Sequence, residues 1–238
     1  MLTILRKEIN EFLDSLIAYV VMGVFLVGIG LLIWIFPSTS VLDYGYASLE
    51  TLFALGPYVL MFLIPAITMK SFAEEKKSGT LELLYTLPFK HYEIILGKFL
   101  AGFLLVIVAI LPTLIYYYSL SVLGNPEGNL DTPGIIGSYV GLILLGGVFT
   151  AVGILASALT QNQIVSFITS AFMCYVLYSG FASIAEFGGA QADAVERFGI
   201  LFHYSSMSRG VIDGTDLAYF FGLGFFLILL TILIMKRK

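Results

Sequence analysis

Hydrophobic and polar positions alternate along this chain in long blocks rather than at the two-residue period of a half-buried strand. Six apolar runs stand out: residues 16–36, 52–69, 99–120, 135–159, 164–184 and 216–235. Each is about as long as a helix needs to cross the hydrocarbon core of a bilayer. The blocks predict an all-α membrane protein with six transmembrane helices, forming one transmembrane domain over residues 1–238. The first run is too long for the apolar part of a cleavable leader and is read as a span. Ahead of it, residues 1–15 place Leu2, Leu5, Ile9, Phe12 and Leu13 at helical spacing, with Arg6, Lys7, Glu8 and Glu11 between them. That pattern predicts an amphipathic helix lying at the membrane interface.

Between the second and third runs lies the one long charged stretch, residues 70–98. A charged hairpin cannot sit in lipid and must project into water. Gly79 fits the end of a helix descending from the second span, because glycine tolerates the left-handed conformation common at helix C-termini. Thr80 to Leu87 can form a short helix with Leu81, Leu84 and Tyr85 on one stripe and Glu82 off it. Pro88 ends that helix by disfavouring helical geometry in its predecessor. The order helix, glycine, short helix, proline, helix predicts a folded docking element rather than a solvated loop. On the other side, residues 185–215 are too long for a structureless loop in a compact domain. Ala192 to Tyr204 suits one or two short helices lying on the outer face.

Composition agrees. Hydrophobic residues make up 59% of the chain and charged residues 12%, against about 45–50% apolar and about 25% charged in soluble domains. In membranes the placement of basic residues matters more than the net charge of −4. With both termini in the cytoplasm, the inner segments hold ten of the twelve Lys and Arg residues, and Arg197 and Arg209 lie outside. Pro65 and Pro112 fall inside spans and are expected to localise bending. Gly137 with Gly141, and Gly147 with Ala151, place small residues four apart, which lets helix backbones approach closely. Cys174 has no partner cysteine in the chain.

The chemistry that is missing narrows the function. The spans are read as carrying essentially no ionisable side chain, which argues against proton-coupled carriers and voltage sensors. Gly97-Lys98 is followed by Phe99, so no phosphate-binding loop is completed. His91 and His203 fall on opposite sides of the bilayer and are read as interfacial histidines rather than metal ligands. Ser179 and His203 are the only nucleophile and base near one another, and they lack an oxyanion-hole signature.

The residues of the hairpin carry a family likeness. Glu74-Glu75-Lys76-Lys77-Ser78-Gly79-Thr80-Leu81-Glu82-Leu83-Leu84, followed by Thr86 and Pro88, resembles the E-x-x-x-G-T-L-E-L-L-x-(S/T)-x-P signature of ABC-2 type transporter permeases. The opening Lys7-Glu8-Ile9 and the order of the six spans are similar too, and within the family the chain looks most like permease subunits associated with gliding motility. The resemblance implies the transmembrane half of an ATP-driven exporter in a bacterial inner membrane. Its implied partners are an ABC ATPase subunit, a second permease subunit (a related chain or a copy of itself) and membrane lipid, with no nucleic acid. It implies no cofactor on this chain, with ATP and Mg on the partner ATPase. By that resemblance the short helix after Gly79 is the coupling helix seated in a groove of the ATPase. Leu81, Leu84 and Tyr85 would be its packing contacts and Glu74, Glu75 and Glu82 its polar ones. Gly79, Thr80 and Pro88 belong to the same motif, with Gly79 and Pro88 fixing the helix ends. A different class of function, a non-transporting scaffold that passes ATPase motion to a periplasmic partner through residues 185–215, is the alternative.

Overall fold

The computed structural model describes residues 1–37, 39–44, 48–86, 90–187 and 192–236. All regular elements among them are helical. They are α1 (Leu2–Leu13), α2 (Leu16–Trp34), α3 (Val41–Tyr44), α4 (Glu50–Thr68), α5 (Lys70–Ser78), α6 (Thr80–Thr86) and α7 (His91–Ile110), then α8 (Leu114–Leu123), α9 (Thr132–Leu159), α10 (Gln163–Tyr175), α11 (Phe181–Ala185), α12 (Ala192–Glu196), α13 (Ile200–Ser208) and α14 (Gly214–Lys236). Five helices are long and apolar enough to cross a membrane, and six spans result if the sharply bent pair Leu2–Leu13 and Ala18–Trp34 is counted as one. The second span and α5 run on as one length, Glu50–Ser78, and the third covers His91–Leu123.

Helix α9 is the axis of the bundle, packed against α4, α7, α10, α13 and α14. Its glycines make that possible. A Cβ added at Gly137 would lie 2.5 Å from the Met207 carbonyl oxygen, and one at Gly153 would lie 2.0 Å from Thr68 Oγ1. These small residues let α13 and α4 close onto α9 in van der Waals contact. The main core runs through Phe25, Leu60, Ile64, Val106, Leu142, Phe149 and Tyr204, all buried.

Breaks in the long helices fall partly where the sequence predicts. Pro112 sits in a 3-10 turn, Leu111–Thr113, inside the third span, because proline cannot donate the N–H that an α-helix requires there. Pro65 lies within α4. The interruption in that span comes four residues later, at Met69, where α9 supplies the missing partners. The Ser157 hydroxyl donates to the Met69 carbonyl at 3.0 Å and accepts from the Phe72 and Ala73 N–H groups at 2.9 and 3.0 Å. A π-helical segment at Val176–Gly180, which buries Tyr178, interrupts the fifth span and has no counterpart in the sequence pattern.

The third span starts earlier than its apolar run suggests. Helix α7 begins at His91, with the Glu93 carboxylate accepting from the Lys90 N–H at 3.0 Å. Lys98 therefore lies inside a membrane-length helix, 2% exposed. At the opposite end Asp216, in the first turn of α14, is 4% exposed. The expectation of spans free of ionisable groups is corrected at these two positions: each charge sits at a span end with an oppositely charged or hydrogen-bonding partner supplied by another element.

Candidate functional site

The hairpin is built from the end of the second span outward. Helix α5 ends at Gly79, whose φ of +73° is the left-handed cap the motif predicts, with open space around it. Ser78 Oγ donates to the Glu74 carbonyl at 2.9 Å and lies 2.8 Å from Thr80 Oγ1, so both hydroxyls serve the turn itself. Helix α6 follows at once. Leu81 and Leu84 pack down onto a second apolar cluster made by Ile4, Phe72, Ile94, Ile95, Ile154, Ala158 and Met235. That cluster joins α1, α5, α7, α9 and α14 beneath the hairpin. Lys76 donates to the carbonyl of Ala158 near the C-terminal end of α9, where a cation complements the helix dipole.

The residues singled out from sequence thus separate into two groups. Leu81, Leu84 and Glu75 face the chain's own interior. Thr80 and Glu82 are exposed, Glu74 is half-buried, and Gly79 is exposed at the corner. The Tyr85 side chain and Pro88 lie outside the described residues. Leu83, which the sequence reading passed over, is 67% exposed on the outward side of α6. The signal was present: in a seven-residue helix the stripe Leu81–Leu84 and the intervening Leu83 cannot share a face. A sequence without neighbours does not say which side is buried.

Beneath the hairpin lies a charge cluster. Lys98 Nζ donates to Glu8 Oε1 at 2.7 Å, to Glu75 Oε1 at 2.9 Å and to the Ser71 carbonyl at 2.7 Å. Lys7 donates to Glu75 Oε1 at 3.1 Å from the solvent side. Three donors on one ammonium meet three acceptors, so the buried cation is fully satisfied. Glu75 Oε2 is buried without a partner among the described residues. Burial raises the Glu8 carboxyl above its ordinary range, with Lys98 opposing and the Glu75 charge adding. Burial lowers Lys7, but the Glu75, Glu8 and Glu11 carboxylates together outweigh it and the net direction is upward. The cluster ties α1, α5 and α7 together, with a cavity of about 430 Å³ beside it.

At the other end, His203 Nδ1 lies 2.7 Å from Asp216 Oδ1 and Nε2 lies 3.0 Å from the Arg197 carbonyl, while the ring stacks on Tyr219 at 4.0 Å. Both ring nitrogens are engaged, and none of the hydrogen bonds among the described residues joins His203 to Ser179. A second cavity, about 590 Å³, is lined there by Glu50, Tyr58, Asp131, Tyr178, Tyr204 and Arg209, among others.

A bundle of membrane-length helices with a packed, charged hairpin carried directly on two of them defines a multi-pass membrane protein. Residues 2–235 match the family described as ABC-2 family transporter protein, and the chain belongs to that family. Its members are membrane permease subunits of ABC transporters, which work with a separate ABC ATPase subunit and normally lack an ATPase site. A comparison with curated proteins finds no match.

Proposed function

We propose that this chain is the permease half of an ATP-driven exporter and that α5–α6 is the handle gripped by the ATPase. Both termini and the hairpin would face the cytoplasm, with ATP and Mg held by the partner. The observation that carries the reading is the contrast within the hairpin. Its inner face is packed onto α1, α7, α9 and α14, while Leu83, Thr80 and Glu82 project outward. A handle must be rigid towards the levers it moves and open towards the motor that moves it. Glu74, Thr80, Glu82 and Leu83 would meet the ATPase groove. Leu81, Leu84 and Glu75 would transmit the stroke to the bundle, with Gly79 and Pro88 setting the ends of the short helix. Span two continues into α5, and α7 begins the third span, so closure of a nucleotide-bound ATPase dimer would displace both.

The finer reading follows the resemblance: a second permease chain completes the path in a bacterial inner membrane, and the assembly serves gliding motility. The test is Leu83→Asp in the full complex. Because Leu83 is solvent-exposed, the variant is expected to fold normally and to lose ATPase association by about tenfold or more, the size of a lost interface anchor. Undiminished association and transport would rule the hairpin out as the docking element. The scaffold alternative draws support from α13 at the far end, which buries Ile200, Tyr204 and Met207 against the bundle. Substrate movement into sealed vesicles during ATP turnover separates it from transport.

A further inference from the structure

The cavity beside Lys98 has two kinds of wall. Phe12, Ala66, Ile67, Ala101 and Leu105 form an apolar side, and Lys70, Glu74 and Glu75 stand among its polar lining. Its volume of about 430 Å³ is in the range of small-molecule sites. The polar groups are unequally used. Lys98 is spent on Glu8, Glu75 and Ser71, and Lys7 on Glu75 with longer contacts to Glu8 and Glu11. Lys70 makes no ion pair among the described residues. Glu74 likewise has none for its carboxylate, and Glu75 Oε2 is buried with no donor. One cation, the Glu74 carboxylate and a single oxygen of Glu75 are therefore left over among the described residues.

A buried carboxylate oxygen without a donor costs about 1–3 kcal/mol or more, so the site favours a ligand that supplies an N–H. An ammonium does so; a trimethylammonium has no N–H to give. An anionic group on the same ligand would meet Lys70, a point charge suited to phosphate. The apolar wall asks for a hydrocarbon continuation, and the charged end of a bundle of apolar spans is at headgroup depth. We propose that this cavity binds the phosphoethanolamine headgroup of a membrane phospholipid, with its ammonium on Glu75 and Glu74 and its phosphate on Lys70. The inference rests on the membrane position of this end of the bundle, not on ATPase docking, so it stands or falls apart from the handle.

The experiment is native mass spectrometry of the purified full-length chain equilibrated with equal amounts of phosphatidylethanolamine, phosphatidylcholine and phosphatidylglycerol. The expected result is retention of phosphatidylethanolamine by about tenfold over phosphatidylcholine, a preference worth about 1.4 kcal/mol. Glu75→Gln should abolish the preference, whereas Lys70→Glu should lower retention of all three lipids, since each carries the phosphate. Glu75→Gln also loosens Lys98, so if that variant fails to fold, Glu74→Gln, which should also lower the preference, takes its place. Equal retention of the ethanolamine and choline lipids, preference for the glycerol lipid, or undiminished lipid retention in Lys70→Glu would overturn the proposal. Displacement by free phosphoethanolamine at the same concentration as the lipid would overturn the lipid assignment.

Discussion

Both ends of the bundle bury an ionisable pair, yet they are wired differently. At the hairpin end Lys98 reaches Glu8, 90 positions away, and Glu75, 23 positions away. At the far end His203 and Asp216 are 13 positions apart and belong to consecutive helices, α13 and α14. The first arrangement welds three elements that nothing else in the chain order brings together. The second fastens a short surface layer to the helix that follows it. Tyr219 adds to that fastening by donating to the Phe198 carbonyl at 2.6 Å, and Tyr204 donates to the Phe53 carbonyl at 2.8 Å.

The contrast predicts unequal costs. Lys98→Met should be the most damaging single change, because it leaves Glu8 and Glu75 facing each other in a buried site with only the solvent-side Lys7 beside them. Removing one partner of a buried pair costs about 3–5 kcal/mol. Unfolding in mixed micelles would show it, and adding Glu8→Gln and Glu75→Gln to Lys98→Met should recover most of the loss. If the single variant is as stable as the parent, the weld is decorative and the comparison collapses.

His203→Ala comes second. It strips Asp216 Oδ1 of its partner while Oδ2 already has none among the described residues, at a cost of about 1–3 kcal/mol. The change should act locally, raising hydrogen exchange in residues 192–208 while leaving the hairpin's protection as it was. Loss of protection spreading to α5 and α6 would mean that the two ends are not independent.

Much of this architecture was legible beforehand. The apolar runs coincide with helices, although α7 begins well before its run, and Gly79 announced its own left-handed turn. Small residues at Gly137 and Gly141 marked a close approach, since Met207 and Tyr204 of α13 lie against them. What stayed hidden depends on long-range pairing. Lys98 reads as the last charge of a hairpin until Glu8, from the other end of the sequence, is seen against it. Nothing local to Glu75 announces its pairing with Lys98. Leu83 and Leu84 are the same residue type side by side, and only the cluster around Ile94 and Met235 decides which one turns inward. The π segment around Tyr178 carries no local signal at all, and Tyr178 meets Phe149 and Tyr204 edge-on from distant parts of the chain.

The smallest expected effect probes the electrostatics of the weld. In the folded chain burial raises the Glu8 carboxyl above its ordinary value of 4.5, despite the Lys98 ammonium. A carboxyl raised on folding binds its proton more tightly in the native state than in the unfolded one, so the native state holds more protons between the two values. Stability must then fall as pH rises, starting near 4.5 and levelling off once the folded value is passed. Glu8→Gln removes that titration and should flatten the decline, while Glu11→Gln, at a position open to solvent, should not. Denaturation of the two variants and the parent across pH 4.5 to neutrality tests the point. A parent whose stability instead rises over that window would mean that Lys98 outweighs burial at Glu8, and the hairpin end would then be held by a cation in surplus rather than one shared too thinly.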